Sequence, residues 1–469
     1  MKSILKNLSF TLSSNLISII ITSVVTLIVP KYLGVNDYGF FQLYMLYCNY
    51  IGFLHFGWAD GIFLRYGGAE YDCLNKHQFS AQFFLYTSFT LFIGISICMF
   101  STFLTSESSK AIIFVLTGIA VILLLPRTFI QYILQCTNRI KEYSVLIISE
   151  KIVFIVLVLF FLLMGNKSFI TIIISDLCGK LISLLYSLYQ CRSILFSKPE
   201  NIFVAFNETY KNISVGIKLM FSNIASMLII GFIRLSIENQ WDVATFGKVS
   251  LALSISNLLL IFIRAVALVM FPLLRRTDFS KLSEIYNNLR TGIMIPLLGM
   301  LIFYYPLKEM LSIWLPAYAD KLHYMALLFP ICIFESKMSM LVETYLKTLR
   351  LEKKLLIVNL ITLILSISMT MYNVYVIHNL DLTVLSIVIL LMFRCTIAEL
   401  YLSKNININV KQDLIIEIFL SFLFIITSWY LGDFRGVLIY LIAYMLYLYI
   451  KRFDIVYFIK MMREYTRRK

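Results

Sequence analysis

Asp176 and Lys180 stand four residues apart, acid first, inside an apolar run from 168 to 190. On a helix that spacing puts both side chains on one face, where they can pair. Arg127, Arg264, Glu335, Lys337 and Arg394 lie at similar depth in their own apolar runs, with Asp60, Arg234, Glu343 and Glu399 nearer the ends. A charge at the centre of a bilayer costs roughly 3 kcal/mol on insertion scales, so each of these groups should face a partner or a wet path. Glu335 and Lys337 are two apart, point to different faces and need separate partners. Arg127 and Arg264 have no acid within four positions. They are left to pair across helices with Asp176 or Glu335, or to meet an anionic substrate. A guanidinium donates paired hydrogen bonds to phosphate oxygens and stays charged when partly dehydrated. A path lined by Arg127, Arg264 and Arg394, with Lys180 and Lys337, would therefore suit a phosphorylated molecule better than a cation. On depth alone, Asp60, Asp176 and Glu335 are the candidate ion-coupling carboxylates.

The elements that position these groups are membrane helices. The 469 residues are 60% hydrophobic and 14% charged, and apolar stretches of about 20 residues, one bilayer crossing each, follow one another from Leu8 onward. Their approximate extents are 8–30, 40–63, 80–103, 111–135, 145–164, 168–190, 213–236, 245–271, 291–312, 325–347, 355–377, 382–402, 412–430 and 435–450. Runs of this length satisfy their own backbone only as helices. The expected class is an all-α polytopic membrane protein of about 14 spans. Lys2 and Lys6 precede the first run like the start of a signal peptide, but the run is long and lacks a clear cleavage site, so it is expected to stay as the first helix.

Ser14-Asn15-Leu16-Ile17-Ser18 recurs as Ser222-Asn223-Ile224-Ala225-Ser226, 208 residues later; Tyr38-Gly39 returns as Phe246-Gly247 and Asn49 as Asn257. Three matches in one register imply a duplicated membrane domain. The expected organisation is a six-helix bundle over 1–195, a linker over 196–212, a second bundle over 213–403, and a helix pair with a basic tail over 404–469. An even number of spans per half makes the halves parallel, around a central cleft, as in carriers. Asn15 and Asn223 occupy equivalent places in the first helix of each half, either lining that cleft or bonding neighbouring helices.

The net charge of +15 falls almost wholly in the loops of one side. That is the positive-inside pattern, and it places both termini in the cytoplasm. The charge needs no nucleic acid to explain it. The tail residues Arg463, Arg467, Arg468 and Lys469 are expected against anionic headgroups. Eight scattered cysteines without a CxxC pair and four dispersed histidines suggest neither a disulfide framework nor a metal or cofactor site. Pro126 beside Arg127 and Pro330 before Glu335 are candidate bends. Tyr44 and Tyr47 share a face of the second span, open to sugar stacking or to ordinary interfacial packing.

Pro30-Lys31-Tyr32-Leu33-Gly34-Val35-Asn36-Asp37-Tyr38-Gly39-Phe40-Phe41-Gln42 resembles the signature at the end of the first helix in polysaccharide-repeat flippases of the Wzx type. Gly57-Trp58-Ala59-Asp60-Gly61, followed by Arg65-Tyr66-Gly67-Gly68, and the segment Trp314-Leu315-Pro316-Ala317-Tyr318 extend the likeness over the first twelve spans. The resemblance implies the fold of the multidrug and oligosaccharidyl-lipid exporters. It also implies an undecaprenyl-diphosphate-linked oligosaccharide as substrate, moved from the cytoplasmic to the periplasmic leaflet for O-antigen or other surface glycan assembly. H+ or Na+ coupling, and partnership with a glycan polymerase and chain-length regulators, follow from the same likeness.

Three other readings remain. A lipid II flippase differs chiefly in the headgroup carried. A multidrug exporter of the same fold would use membrane carboxylates to attract cations. A membrane glycan polymerase or ligase needs acid, base or nucleophilic groups converging beneath a sizeable external loop, and no such cluster stands in the short loops of this chain.

Overall fold

With no water to bond their backbones, apolar runs in lipid close their hydrogen bonds internally, and every expected span is helical. The computed structural model describes the backbone of residues 2–275 and 282–467 and, within these, the side chains of 16–258, 260 and 282–460. Among the described residues there is no strand. Two compact units form, Met1–Ile224 and Ala225–Lys469.

The first contains α1 (Lys2–Tyr32), α2 (Val35–Ile51), α3 (Trp58–Tyr66), α4 (Lys76–Leu104), α5 (Ser108–Cys136), α6 (Ile140–Leu163), α7 (Phe169–Gln190), the single turn α8 (Arg192–Leu195) and the start of α9 (Ile202–Gln240). Helix α5 is its hub, packed on α2, α3, α4, α6 and α7. The expected second span is discontinuous. It runs as α2, a 3-10 turn Gly52–His55, a left-handed pair Phe56 (φ 51°) and Gly57 (φ 80°), then α3.

The second unit holds α10 (Val243–Arg275), α11 (Leu282–Met300), α12 (Tyr304–Trp314), the short turns α13 (Ala319–Leu322) and α14 (Met325–Leu328), α15 (Ile331–Lys337), α16 (Glu343–Thr348), α17 (Glu352–Met371), α18 (Leu380–Asn405), α19 (Lys411–Ile426), α20 (Phe434–Ile450) and α21 (Arg452–Arg467). Stretch 325–348 is its central span, enclosed along most of its length. Pro330, which cannot donate a backbone hydrogen bond, separates α14 from α15, and a π-helical turn at Met338–Val342 leads into α16. Pro126, by contrast, lies within an uninterrupted α5.

Among the described residues ten helical stretches are long and apolar enough to cross a membrane, and α20 with α21 form a pair bent by 62°. Leu16–Tyr32 and Val243–Leu258 are shorter apolar stretches, so with the broken second span each of the expected runs has its helix. The units divide inside α9 rather than at 196–212. The reason is contact between the start of α9 and α3: a Cβ on Gly61 would collide with the Asn212 carbonyl, and one on Gly216 with that of Gly57. The expected linker is also pinned, since Ser197 donates to the Lys76 carbonyl at 2.8 Å and Ser80 to that of Leu195 at 2.9 Å. Residues 404–469 belong to the second unit; Tyr440 and Tyr444 donate to the Leu298 and Ile295 carbonyls at 2.8 and 2.9 Å.

Candidate functional site

In the first unit, α5, α6 and α7 enclose two ion pairs. Arg127 meets Glu150 at 2.7 Å and donates from Nε to Ser183 at 2.8 Å, tying the three helices together. Its partner is Glu150 and not Asp176 or Glu335, the two acids expected for it. Asp176 and Lys180 pair on α7, and Tyr44 on α2 donates to Asp176 at 2.7 Å. Tyr44 is fully buried, so its hydroxyl is occupied by the carboxylate rather than presented to a sugar. Tyr47 stacks on Phe114 at 5.1 Å.

The second unit repeats the tie with the charge moved. Arg394 on α18 reaches Glu335 on α15 at 3.1 Å and Asn359 on α17 at 2.9 Å. In each unit one arginine thus joins the fourth, fifth and sixth spans. In the first the fourth span supplies the cation; in the second the sixth does. Lys337, fully buried, lies between Glu399 at 2.5 Å and Glu417 at 2.6 Å. Arg290 contacts Glu399, Glu417 and Asp413, each at 2.7 Å, and Tyr286 donates to Glu399 at 2.9 Å. Lys337 and Arg290 balance Glu399 and Glu417, and Asp413 at the edge is met by Lys451 at 2.7 Å, which is how a bilayer interior tolerates charge. A cavity of about 380 Å³, lined by Glu284, Asn288, Arg290, Asp413, Lys451 and Tyr457 among others, opens beside it.

The third cluster sits at the break in the second span. Asp60, in the first turn of α3, accepts from Tyr132 at 3.2 Å, and its other oxygen lies 3.9 Å from His55 Nε2. Both His55 and Asp60 are buried. One helical turn further, Arg65 grips α9 through Glu208 at 2.8 Å and Asn212 at 2.6 Å, and Asn212 donates to Gln82 at 2.8 Å.

The structure therefore places Arg127, Lys180, Asp176, Glu335, Lys337 and Arg394 in ion pairs and Asp60 at the helix break. Asn223 is exposed on α9. The side chains of Asn15 and Arg264 lie outside the described residues. Sequence reasoning passed over Glu150, Ser183, Asn359, Arg290, Glu417 and His55. Glu150 and Glu417 carried a usable signal, since an acid inside an apolar run implies a cation on a neighbouring helix. Ser183 and Asn359 carried none, being ordinary polar residues of membrane helices.

Residues 4–278 match a family model described as "Polysaccharide biosynthesis protein". A solved structure titled "Lipid II flippase MurJ, inward closed conformation" superposes with a TM-score of 0.67 at 15% identity, over 96% of this chain and 100% of that one. An inward-facing multidrug resistance MATE family transporter of the MOP superfamily gives 0.62 at 13% identity, over 84% and 94%. A MOP superfamily transporter from Pyrococcus furiosus, whose title reports a binding pocket of reverse polarity, gives 0.52 at 13% identity, over 86% and 96%. No curated protein matches the chain in sequence. At these identities the structural likeness concerns the fold.

Proposed function

The chain belongs to the polysaccharide biosynthesis protein family, and on that premise we propose that it is a flippase for undecaprenyl-diphosphate-linked oligosaccharide repeat units. In this reading it sits in the bacterial inner membrane with both termini cytoplasmic. It carries the lipid-linked repeat to the periplasmic leaflet by alternating access, driven by an ion gradient, and hands it to a glycan polymerase with its chain-length regulator. The single observation that supports it most is the family match across the first unit and into the second, on a fold shared with transporters. The protein acts as a carrier and not as an enzyme.

The cationic contacts to the diphosphate are assigned to Arg127, Arg264 and Arg394. Arg127 and Arg394 are neutralised by Glu150 and Glu335, so cargo phosphate would exchange with those carboxylates. Lys180 is held by Asp176 and Lys337 by Glu399 and Glu417, and both fit a bracing role better. A lipid II flippase is the second reading, favoured by the extent of the superposition on one.

Deleting the gene tests the proposal. Complete single repeat units accumulating on the cytoplasmic leaflet are the expected result, restored by wild-type protein. Accumulation on the periplasmic side would overturn it in favour of a polymerase or ligase. Arrested cell-wall synthesis with normal surface glycan would select lipid II.

A further inference from the structure

We propose that the break in the second span is a proton-binding site, in which His55 takes up the proton, Asp60 receives the resulting cation and the Gly57 amide is released. The Gly57 N–H donates to His55 Nδ1 at 3.1 Å. That ring nitrogen is thereby an acceptor, and the neutral imidazole carries its proton on Nε2. Nε2 faces Asp60 Oδ2 at 3.9 Å, too far for a hydrogen bond. The pair is therefore set opposite one another without being joined.

The surroundings supply what a second arrangement needs. From α5, Tyr132 donates to the other oxygen of Asp60. From α4, Tyr86 and Gln82 are fully buried, and the Tyr86 hydroxyl and Gln82 Nε2 have no hydrogen-bond partner. The Tyr86 ring lies 6.5 Å from that of His55, and its electrostatic neighbours are Tyr132 and Asp60. From α9 come the Asn212 amide, which contacts Gln82, and Glu208, already paired with Arg65. Buried donors left unspent are rare in a finished core, and the Tyr86 hydroxyl is one whose electrostatic neighbours include the Asp60 carboxylate.

The step balances as follows. A hydronium ion gives its proton to the Nδ1 lone pair and leaves as water, and the Gly57 N–H···Nδ1 bond breaks. The imidazolium then carries a proton on each nitrogen, and Nε2–H closes on Asp60 Oδ2 as an ion pair. The reverse step returns the proton and restores the Gly57 bond. Gly57 forms the left-handed link into α3, and α3 docks on α9 through Gly61 and Arg65. Proton occupancy would thus bear on the joint between the halves of the broken span. Only the use of the proton, as the ion coupled to transport, rests on the flippase reading.

The test is 15N NMR of the full-length protein in lipid nanodiscs, with His77, His323 and His378 changed to Gln so that His55 reports alone. If that variant does not fold, a difference spectrum between wild type and His55→Gln isolates the same signals. Expected are an Nε2–H tautomer at high pH, one protonation step between about pH 4 and 9, and a midpoint moved by at least about one unit, a tenfold change in proton affinity, in Asp60→Asn. The Gly57 amide should exchange faster with solvent in the protonated state. An Nδ1–H tautomer, no titration, or an unmoved midpoint in Asp60→Asn would overturn the proposal. Reconstituted protein that fails to flip any lipid-linked saccharide would count against the flippase reading while leaving this titration standing.

Discussion

Arg127 on α5 and Glu150 on α6 meet at 2.7 Å, both with side chains less than a tenth exposed. Arg394 and Glu335 make the corresponding tie in the second unit, from the sixth span to the fourth. Each unit has a buried polar joint among three helices, but a different helix supplies the cation in each. A bilayer demands charge balance within contact distance and is indifferent to its direction.

Removing one side of such a joint leaves the other charge stranded. Arg127→Ala should cost about 3–5 kcal/mol of stability, and the double variant Arg127→Met with Glu150→Met should recover most of that loss. Thermal melting of the detergent-purified protein reads both. A double variant as unstable as the single one would mean that Arg127 does more than neutralise Glu150.

Lys337 makes a sharper case, because two carboxylates and Arg290 surround it. Lys337→Met should greatly lower the yield of monodisperse protein, and adding Glu417→Gln should restore a substantial part by rebalancing charge. Size-exclusion profiles of the two variants decide the matter. No rescue would show that geometry rather than charge count governs this cluster.

The α3–α9 contact is backbone against backbone, so it should tolerate no side chain at Gly61 or Gly216. Gly61→Val and Gly216→Val are expected to abolish folded protein, while Gly34→Ala, where a Cβ meets nothing within 4 Å, should be accepted. Expression and melting temperature measured side by side provide the check. A stable Gly61→Val protein would contradict the packing of these two helices.

Beside that contact, burial alone would raise the Glu208 carboxyl, but its bonds to Lys211 and Arg65 hold it below the ordinary 4.5. A carboxylate depressed on folding contributes stability that is complete above its unfolded value and is lost as pH falls through its folded one. Glu208→Gln should therefore melt below wild type at neutral pH, with the gap closing at pH values below 4.5. A gap independent of pH would assign the effect to packing instead of charge.

Residue order alone was enough to settle the solvent and the element type, because hydrocarbon permits only long self-bonded helices. It also determined the Asp176–Lys180 pair, since helical spacing is local. The glycines around Asp60 were legible as a family motif without a mechanical reason. Packing between helices is what pairs Arg127 with Glu150, sets Lys337 against Glu399 and Glu417, and requires Gly57 and Gly61 where α3 approaches α9. Those relationships depend on which faces of separate helices meet, and residue order along one helix carries no record of its rotation against the next. The break at His55 and Gly57 was hidden for a related reason: the apolar run continues straight through it, and hydropathy registers burial in lipid whether or not the helix is whole.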